Sequence, residues 1–390
     1  MSDLHNRSEQ FQNEIYPGYS KTCPENSLYS DLYHLAVADL LNKYELFSKT
    51  KIMISQSLND NGMLKEKAIS LSGEHSLDYI SLHMSSIFYH FESKPSSNFY
   101  KYLEQIISNG INKYCENLSY TNAWSVSNEL MAFGTLLARY DDIQNGKNLP
   151  FLTKFLLKHK TFEKGLWHSS ENRHKGLINS AAATFHYLPM FLHLDTCVPG
   201  SEDYIKIARK LYMGNGFFSA PDGYACIDYD VIYMIFYCIT LHRDNLPSDD
   251  LNWTKLVIKT HMANLLKLQN KDGGFGEYGS GTSLPKAIFN TLNAYKLNRC
   301  FRSFEWNSKK IIRQWGFPNN VTYSNSVKYC GATMHESNIF ATWFRLITIE
   351  LCEVILIMID SPNDLERKDQ YDRSPGLGYM PFRTRYSPKR

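Results

Sequence analysis

The chain of 390 residues has no dense run of lysine and arginine. Its 42 basic and 39 acidic residues are dispersed, giving a formal net charge of +3, and without a basic stripe to neutralise phosphates a nucleic-acid partner is not expected. It lacks C-x-x-C spacing among its eight cysteines, so disulfide staples and zinc ribbons are not indicated and reduced thiols are the default. The first ten residues are polar and charged and do not form the charged-then-apolar order of a secretory signal. The longest apolar run near the end, Leu346 to Ile359, is interrupted by Glu350 and Glu353 and is too short to cross a bilayer. No transmembrane segment and a cytoplasmic location are the expectations. Strand signals are nearly absent.

Aromatic residues are abundant by contrast: 26 Tyr, 22 Phe and 6 Trp make 14% of the chain. A glycine beside a bulky apolar residue also recurs roughly every fifty residues. It stands as Asn61-Gly62-Met63, Lys164-Gly165-Leu166-Trp167, Asn215-Gly216-Phe217-Phe218, Asp272-Gly273-Gly274-Phe275 and Trp315-Gly316-Phe317. A unit without its glycine, Tyr120 to Trp124, fills the long gap after Gly62 and brings the count to six.

Each unit reads as an amphipathic outer helix, the turn, a polar loop and a more apolar inner helix. The first outer helix is expected from Leu28 to Leu46. Inner helices are expected at Leu77 to Phe91, Ser125 to Ala138, Ile178 to Phe191, Asp228 to Leu241, Pro285 to Leu297 and His335 to Ile359. Such units bury their apolar faces only against neighbours. The expected fold is therefore all-α, a single α/α toroid of about six helical hairpins over residues 29–360. Residues 1–28 form an N-terminal arm and 361–390 a C-terminal strap or loop.

In such a ring the first turns of the inner helices surround one mouth of a central cavity. This places Trp124, Asn128 and Glu129, Arg173 and His174, Tyr229 and Tyr233, and His335 among the candidates for substrate binding or catalysis. The loop carrying Arg173 and His174, with Asn179 and His186, could hold a diphosphate or a carboxylated sugar.

The segment from Leu265 to Gly276, with Gln269 ahead of Asp272-Gly273-Gly274-Phe275, resembles the repeat motif of terpenoid cyclase and protein prenyltransferase toroids, including squalene-hopene cyclase-like repeats. Asp228-Tyr229-Asp230-Val231 resembles the Asp-x-Asp-Asp acid of class II terpene cyclases. That resemblance implies a cyclase acting on an isoprenoid, with Asp230 as proton donor, Asp228 as its partner sharing one proton, and the aromatic residues stabilising carbocations. Two departures stand: the family's final Asp is Val231 here, and the chain has residues for one toroid rather than two.

Other readings fit the same residues. Asp228 and Asp230 could simply cap and complement a helix N-terminus. No cofactor is required, although Cys226, Asp228 and His335 are similar in type to the zinc ligands of protein prenyltransferases, and magnesium is also open. The same ring could house a glycan-active lyase or glycosidase using His174, Glu129 or Tyr229, or a non-catalytic binding toroid.

Overall fold

The computed structural model describes residues 2–21, 27–60, 62–64, 77–91, 97–171, 176–214, 216–219, 223–276, 292, 321–322, 328–329 and 336–360. The described chain is mostly helical, with two short two-stranded pairs. The predicted helix Pro285 to Leu297, the turn Trp315-Gly316-Phe317, Arg173, His174, His335 and the tail 361–390 lie outside the described residues, apart from the single position 292.

Two kinds of helix alternate along the chain. Helices with one buried stripe are α1 (Ser2–Ile15), α3 (Tyr44–Ser55), α5 (Ser97–Asn109), α6 (Ile111–Glu116), α8 (Asn148–Lys158), α10 (Tyr204–Leu211) and α12 (Ser248–Lys267). Between them stand α2 (Leu28–Leu40), α4 (Leu77–Phe91), α7 (Ala123–Gln144), α9 (Leu177–His193), α11 (Ala225–His242) and α13 (Ile339–Asp360), which are buried over most of their described lengths. The difference follows from composition. Helix α3 buries Phe47, Thr50 and Ile54 at helical spacing, whereas the unbroken apolar and aromatic run of α11 leaves no polar face for water, and residues 225–239 are all buried.

One expectation is corrected here, and the arm gains a helix. The segment from Leu28, expected as an outer helix ending at Leu46, forms the fully buried α2, and a new helix starts at Tyr44. Residues 1–28 contain α1, whose Leu4, Ser8, Phe11, Gln12 and Ile15 are buried at spacings of four, three, one and three, so its polar composition hides a complete buried stripe.

The buried helices pack in chain order. Helix α2 contacts α4, α4 contacts α7, α7 contacts α9, α9 contacts α11, α11 contacts α13, and α13 packs back on α2. Helix α11 is long and apolar enough to cross a membrane, with a mean hydropathy of 1.3 over its best window. Yet 83% of that window is buried inside the fold.

The repeated glycines share one backbone conformation, with φ of 71° at Gly62, 80° at Gly165, 91° at Gly216 and 90° at Gly273. Short antiparallel pairings close each turn: Leu58 with Leu64, Phe162 and Glu163 with Trp167 and Leu166, Met213 N–H to Phe217 O, and Gln269 with Phe275. Neighbouring helices then tie three of them down. Tyr204 of α10 donates to Gly165 O at 2.8 Å, His261 of α12 donates from Nδ1 to Gly216 O at 2.6 Å, and Ser8 of α1 donates to Gly273 O at 3.1 Å. The last contact brings α1 onto the turn that follows α12, and the approach is close, since a Cβ on Gly273 would lie 1.9 Å from Arg7 O.

The fifth turn also pairs with the segment that leads into α13. Phe275 bridges Asn338, and Asn338 N–H donates to Phe275 O at 3.0 Å. The inner helix seen to pack on this turn among the described residues is α13, expected as the sixth.

Candidate functional site

A second repeat, invisible as spacing, is carried by hydrogen bonds from the turns. In four of them the backbone N–H of the residue that buries itself after the glycine donates to a side chain on a buried helix: Leu64 to Ser85 at 2.8 Å, Trp167 to Thr184 at 3.2 Å, Phe218 to Asp228 at 3.0 Å and Phe275 to Thr342 at 3.0 Å. Each bond satisfies a donor that burial has cut off from water. Three of the acceptors are hydroxyls. Asp228 alone brings a charge to the position.

That charge is compensated. Arg345 of α13 donates from Nη1 to Asp228 Oδ2 at 3.0 Å, with both side chains fully buried. Ser219 Oγ donates to Asp228 Oδ1 at 3.4 Å, and the Arg345 guanidinium lies 5.9 Å from the Phe217 ring centroid. Gly223, at φ 82°, lets the loop pass close beside the carboxylate, where a Cβ would lie 2.4 Å from Asp228 Oδ2. Helix α11 starts at Ala225 without a side-chain cap, so Asp228 reaches back to the turn instead of capping the helix.

Asp230 sits two residues along the same helix, about 200° around its axis, and therefore points away from the turn. A directly shared proton between the two carboxylates is excluded by that divergence. Asp230 is 2% exposed and has no hydrogen-bond partner among the described residues. Burial in a medium that solvates charge poorly, with the Asp228 carboxylate as a further cause, holds its pKa well above the usual carboxylate range. One carboxylate is held as a partner of arginine, and burial biases the other toward its protonated form.

The equivalent positions on the neighbouring helices, two residues after Thr184 and Thr342, are His186 and Phe344. Around them is an aromatic group. Phe185 meets Tyr229 and Tyr233 edge-on at 5.3 and 5.2 Å, and Tyr229 meets Phe344 at 5.7 Å. The Tyr229 hydroxyl is buried without a hydrogen-bond partner among the described residues. Phe344 in turn contacts Phe340 and Trp343. Tyr229 and Tyr233 thus stand on the same helix as Asp230, within one aromatic cluster.

The other predicted residues are disposed differently. Glu129 accepts from Tyr114 of α6 at 3.0 Å, which commits its carboxylate to a half-exposed helix. Asn128 donates to Trp124 O at 2.9 Å within α7 and is buried, while Trp124 is half-buried. Cys226 is buried. Both oxygens of Asp228 are engaged by Arg345 and the turn, and His335, the third member of the zinc alternative with Cys226, lies outside the described residues; among the described residues no three His, Cys, Asp or Glu side chains are grouped to hold a metal.

Two further residues belong to the site, His186, which the sequence offers beside the loop of Arg173 and His174, and Arg345. His186 places Nδ1 2.8 Å from Ser127 Oγ, and burial lowers its pKa to about 3, with His83 a smaller cause. Arg345 is the partner of Asp228, and an arginine inside Trp343-Phe344-Arg345-Leu346 is the one signal that points to it. A surface depression of about 390 Å³ is lined by Asn6, Glu9, Gln10, Asn13 and Glu14 of α1 and includes none of the predicted site residues.

Comparison with known proteins gives no assignment. No family model matches the chain, and no curated protein matches it.

Proposed function

We propose that the helices form a closed α/α toroid and that the protein is a terpenoid cyclase-like enzyme in which Asp230 protonates an isoprenoid. The ring is supported by the packing order of the buried helices, with α13 returning to α2 and α1 seated on the turn that follows α12. In that arrangement the turns lie at the periphery and His186, Asp230 and Phe344 face the interior.

The acid assignment rests on one observation: a buried Asp230, unpartnered among the described residues, on the same helix as a buried, arginine-paired Asp228. The reaction begins when the Asp230 O–H bond breaks and its proton forms a C–H bond with the π pair of an alkene, or protonates an epoxide oxygen. A carbocation and the Asp230 carboxylate result. Ring faces such as those of Phe185, Tyr229, Tyr233 and Phe344 stabilise the cation without capturing it, and loss of a proton to a base ends the sequence. Asp228, fixed by Arg345, adds negative charge on the same helix that favours the protonated form of Asp230 between turnovers.

The test is incubation of the purified protein with linear isoprenoids of several lengths, as diphosphates and as epoxides, followed by product analysis by mass spectrometry. Cyclic product from the native protein, lost in Asp230→Asn with helical content retained, is expected. Equal turnover by Asp230→Asn would remove Asp230 as the acid.

A further inference from the structure

At the opposite end of α11 from the acid pair, a thiol, an imidazole and a hydroxyl converge. Cys197 Sγ lies 3.6 Å from His242 Nε2 and 3.5 Å from Ser201 Oγ, and Ser201 Oγ lies 2.7 Å from the same His242 nitrogen. His242 is the last residue of α11, and Cys197 and Ser201 belong to the segment joining α9 to α10. That segment is pinned close by: Tyr237 donates its hydroxyl hydrogen to Thr196 O at 2.9 Å and accepts from Val198 N–H at 3.2 Å. Ser201 is fully buried and Cys197 is exposed. The geometry presents sulfur to solvent with a proton acceptor behind it.

The other described cysteines make the contrast. Cys115, Cys226, Cys238 and Cys352 are buried. Burial pushes the thiols of Cys115 and Cys238 up to about 12 and raises that of Cys352 as well, which disfavours the thiolate that every thiol reaction requires.

We propose that Cys197, His242 and Ser201 form a thiol-modification site, at which Cys197 reacts reversibly with low-molecular-weight disulfides of the glutathione type. The thiol proton passes to Ser201 Oγ while the Ser201 hydroxyl proton passes to His242 Nε2, so the imidazole is the final acceptor and the hydroxyl is the relay. The Cys197 sulfur attacks one sulfur of the disulfide, forming the protein mixed disulfide as the original S–S bond breaks. The second sulfur leaves as a thiolate and takes the proton from the imidazolium. No net oxidant beyond the disulfide is consumed. The site is independent of the reading given to Asp230.

The experiment uses the full chain under native conditions, with iodoacetamide and oxidised glutathione as separate probes and peptide mapping to follow the Cys197 peptide alone. Glutathione is expected to add at Cys197, and His242→Gln to slow iodoacetamide alkylation there by about tenfold, the loss expected when a proton acceptor is withdrawn from a thiol. An unchanged rate in a folded His242→Gln protein overturns the proposal. So does the absence of a glutathione adduct at Cys197 in the native protein. A second comparison needs no variant: the native protein should be alkylated at Cys197 faster than the urea-unfolded chain, in which the thiol is exposed but His242 is no longer beside it. A slower native rate overturns the assignment.

Discussion

Arg345 Nη1 is 3.0 Å from Asp228 Oδ2, and neither side chain reaches solvent. The pair joins α11 to α13 at a position where three other turns use a serine or threonine. Its stability consequences follow from that register. Arg345→Met leaves an uncompensated buried carboxylate and should cost about 3–5 kcal/mol. The double variant Asp228→Thr with Arg345→Met restores the hydroxyl found at Thr184 and Thr342 and should recover most of the loss. Denaturant unfolding of the three proteins measures this, and a double variant no more stable than Arg345→Met would rule out the register.

Asp230 makes stability depend on pH in the direction opposite to most carboxylates. Its folded pKa is raised above the ordinary value of 3.8, so the folded state holds a proton that the unfolded state releases. The contribution is fully present below about pH 4 and is lost as pH rises through the folded value. Asp230→Asn, which cannot ionise, should therefore gain stability relative to the native protein as pH rises above about 4. Unfolding free energies with the same pH slope in both proteins would contradict the assignment.

The buried histidines act at the acid end. Burial lowers His186 to about 3 and His34 to about 4, and also lowers His261. Their contribution is present above the ordinary value of 6.5, declines as pH falls below it, and is gone once pH passes the folded values. His186→Gln should flatten the fall in stability between about pH 6.5 and about pH 4 by about one proton's worth of slope. An unaltered slope would mean that His186 is protonated in the fold.

Two glycines with similar φ separate backbone strain from packing. Gly273 at 90° faces Arg7 O, whereas Gly214 at 76° has nothing within 4 Å of the place a Cβ would occupy. Gly214→Ala should cost about 1 kcal/mol, the penalty of a left-handed residue alone. Gly273→Ala should cost at least about 3 kcal/mol, because α1 must also move off the turn. Comparable losses for the two substitutions would show that α1 does not depend on this contact.

Much of the helical layout can be read from the chain because its physical cause is local. A left-handed glycine followed by residues that bury themselves leaves the same mark at Gly62, Gly165, Gly216 and Gly273, and an all-round apolar helix such as α11 cannot be mistaken for a surface one. Helix α2 is misread because His34, Asp31 and Asp39 look like a polar face, although all three are buried. The acceptors of the turn N–H groups are hidden for a different reason. Leu64 and Ser85 are 21 residues apart, Phe218 and Asp228 only 10, and Phe275 and Thr342 67, so loop length erases any fixed spacing. Asp228 and Asp230 are recognisable as a pair, but their opposite directions follow from the helix, and the Arg345 that pairs with Asp228 comes from more than a hundred residues away.

The most direct measurement is the protonation state of Asp230 itself. Infrared difference spectroscopy at neutral pH, comparing the native protein with Asp230→Asn, should reveal the carbonyl band of one protonated carboxyl group in the native protein that is missing from the variant. That band should persist in a folded Asp228→Asn protein, because burial is the larger cause of the raised pKa. A native spectrum without a protonated carboxyl band assignable to Asp230 would contradict its role as the acid.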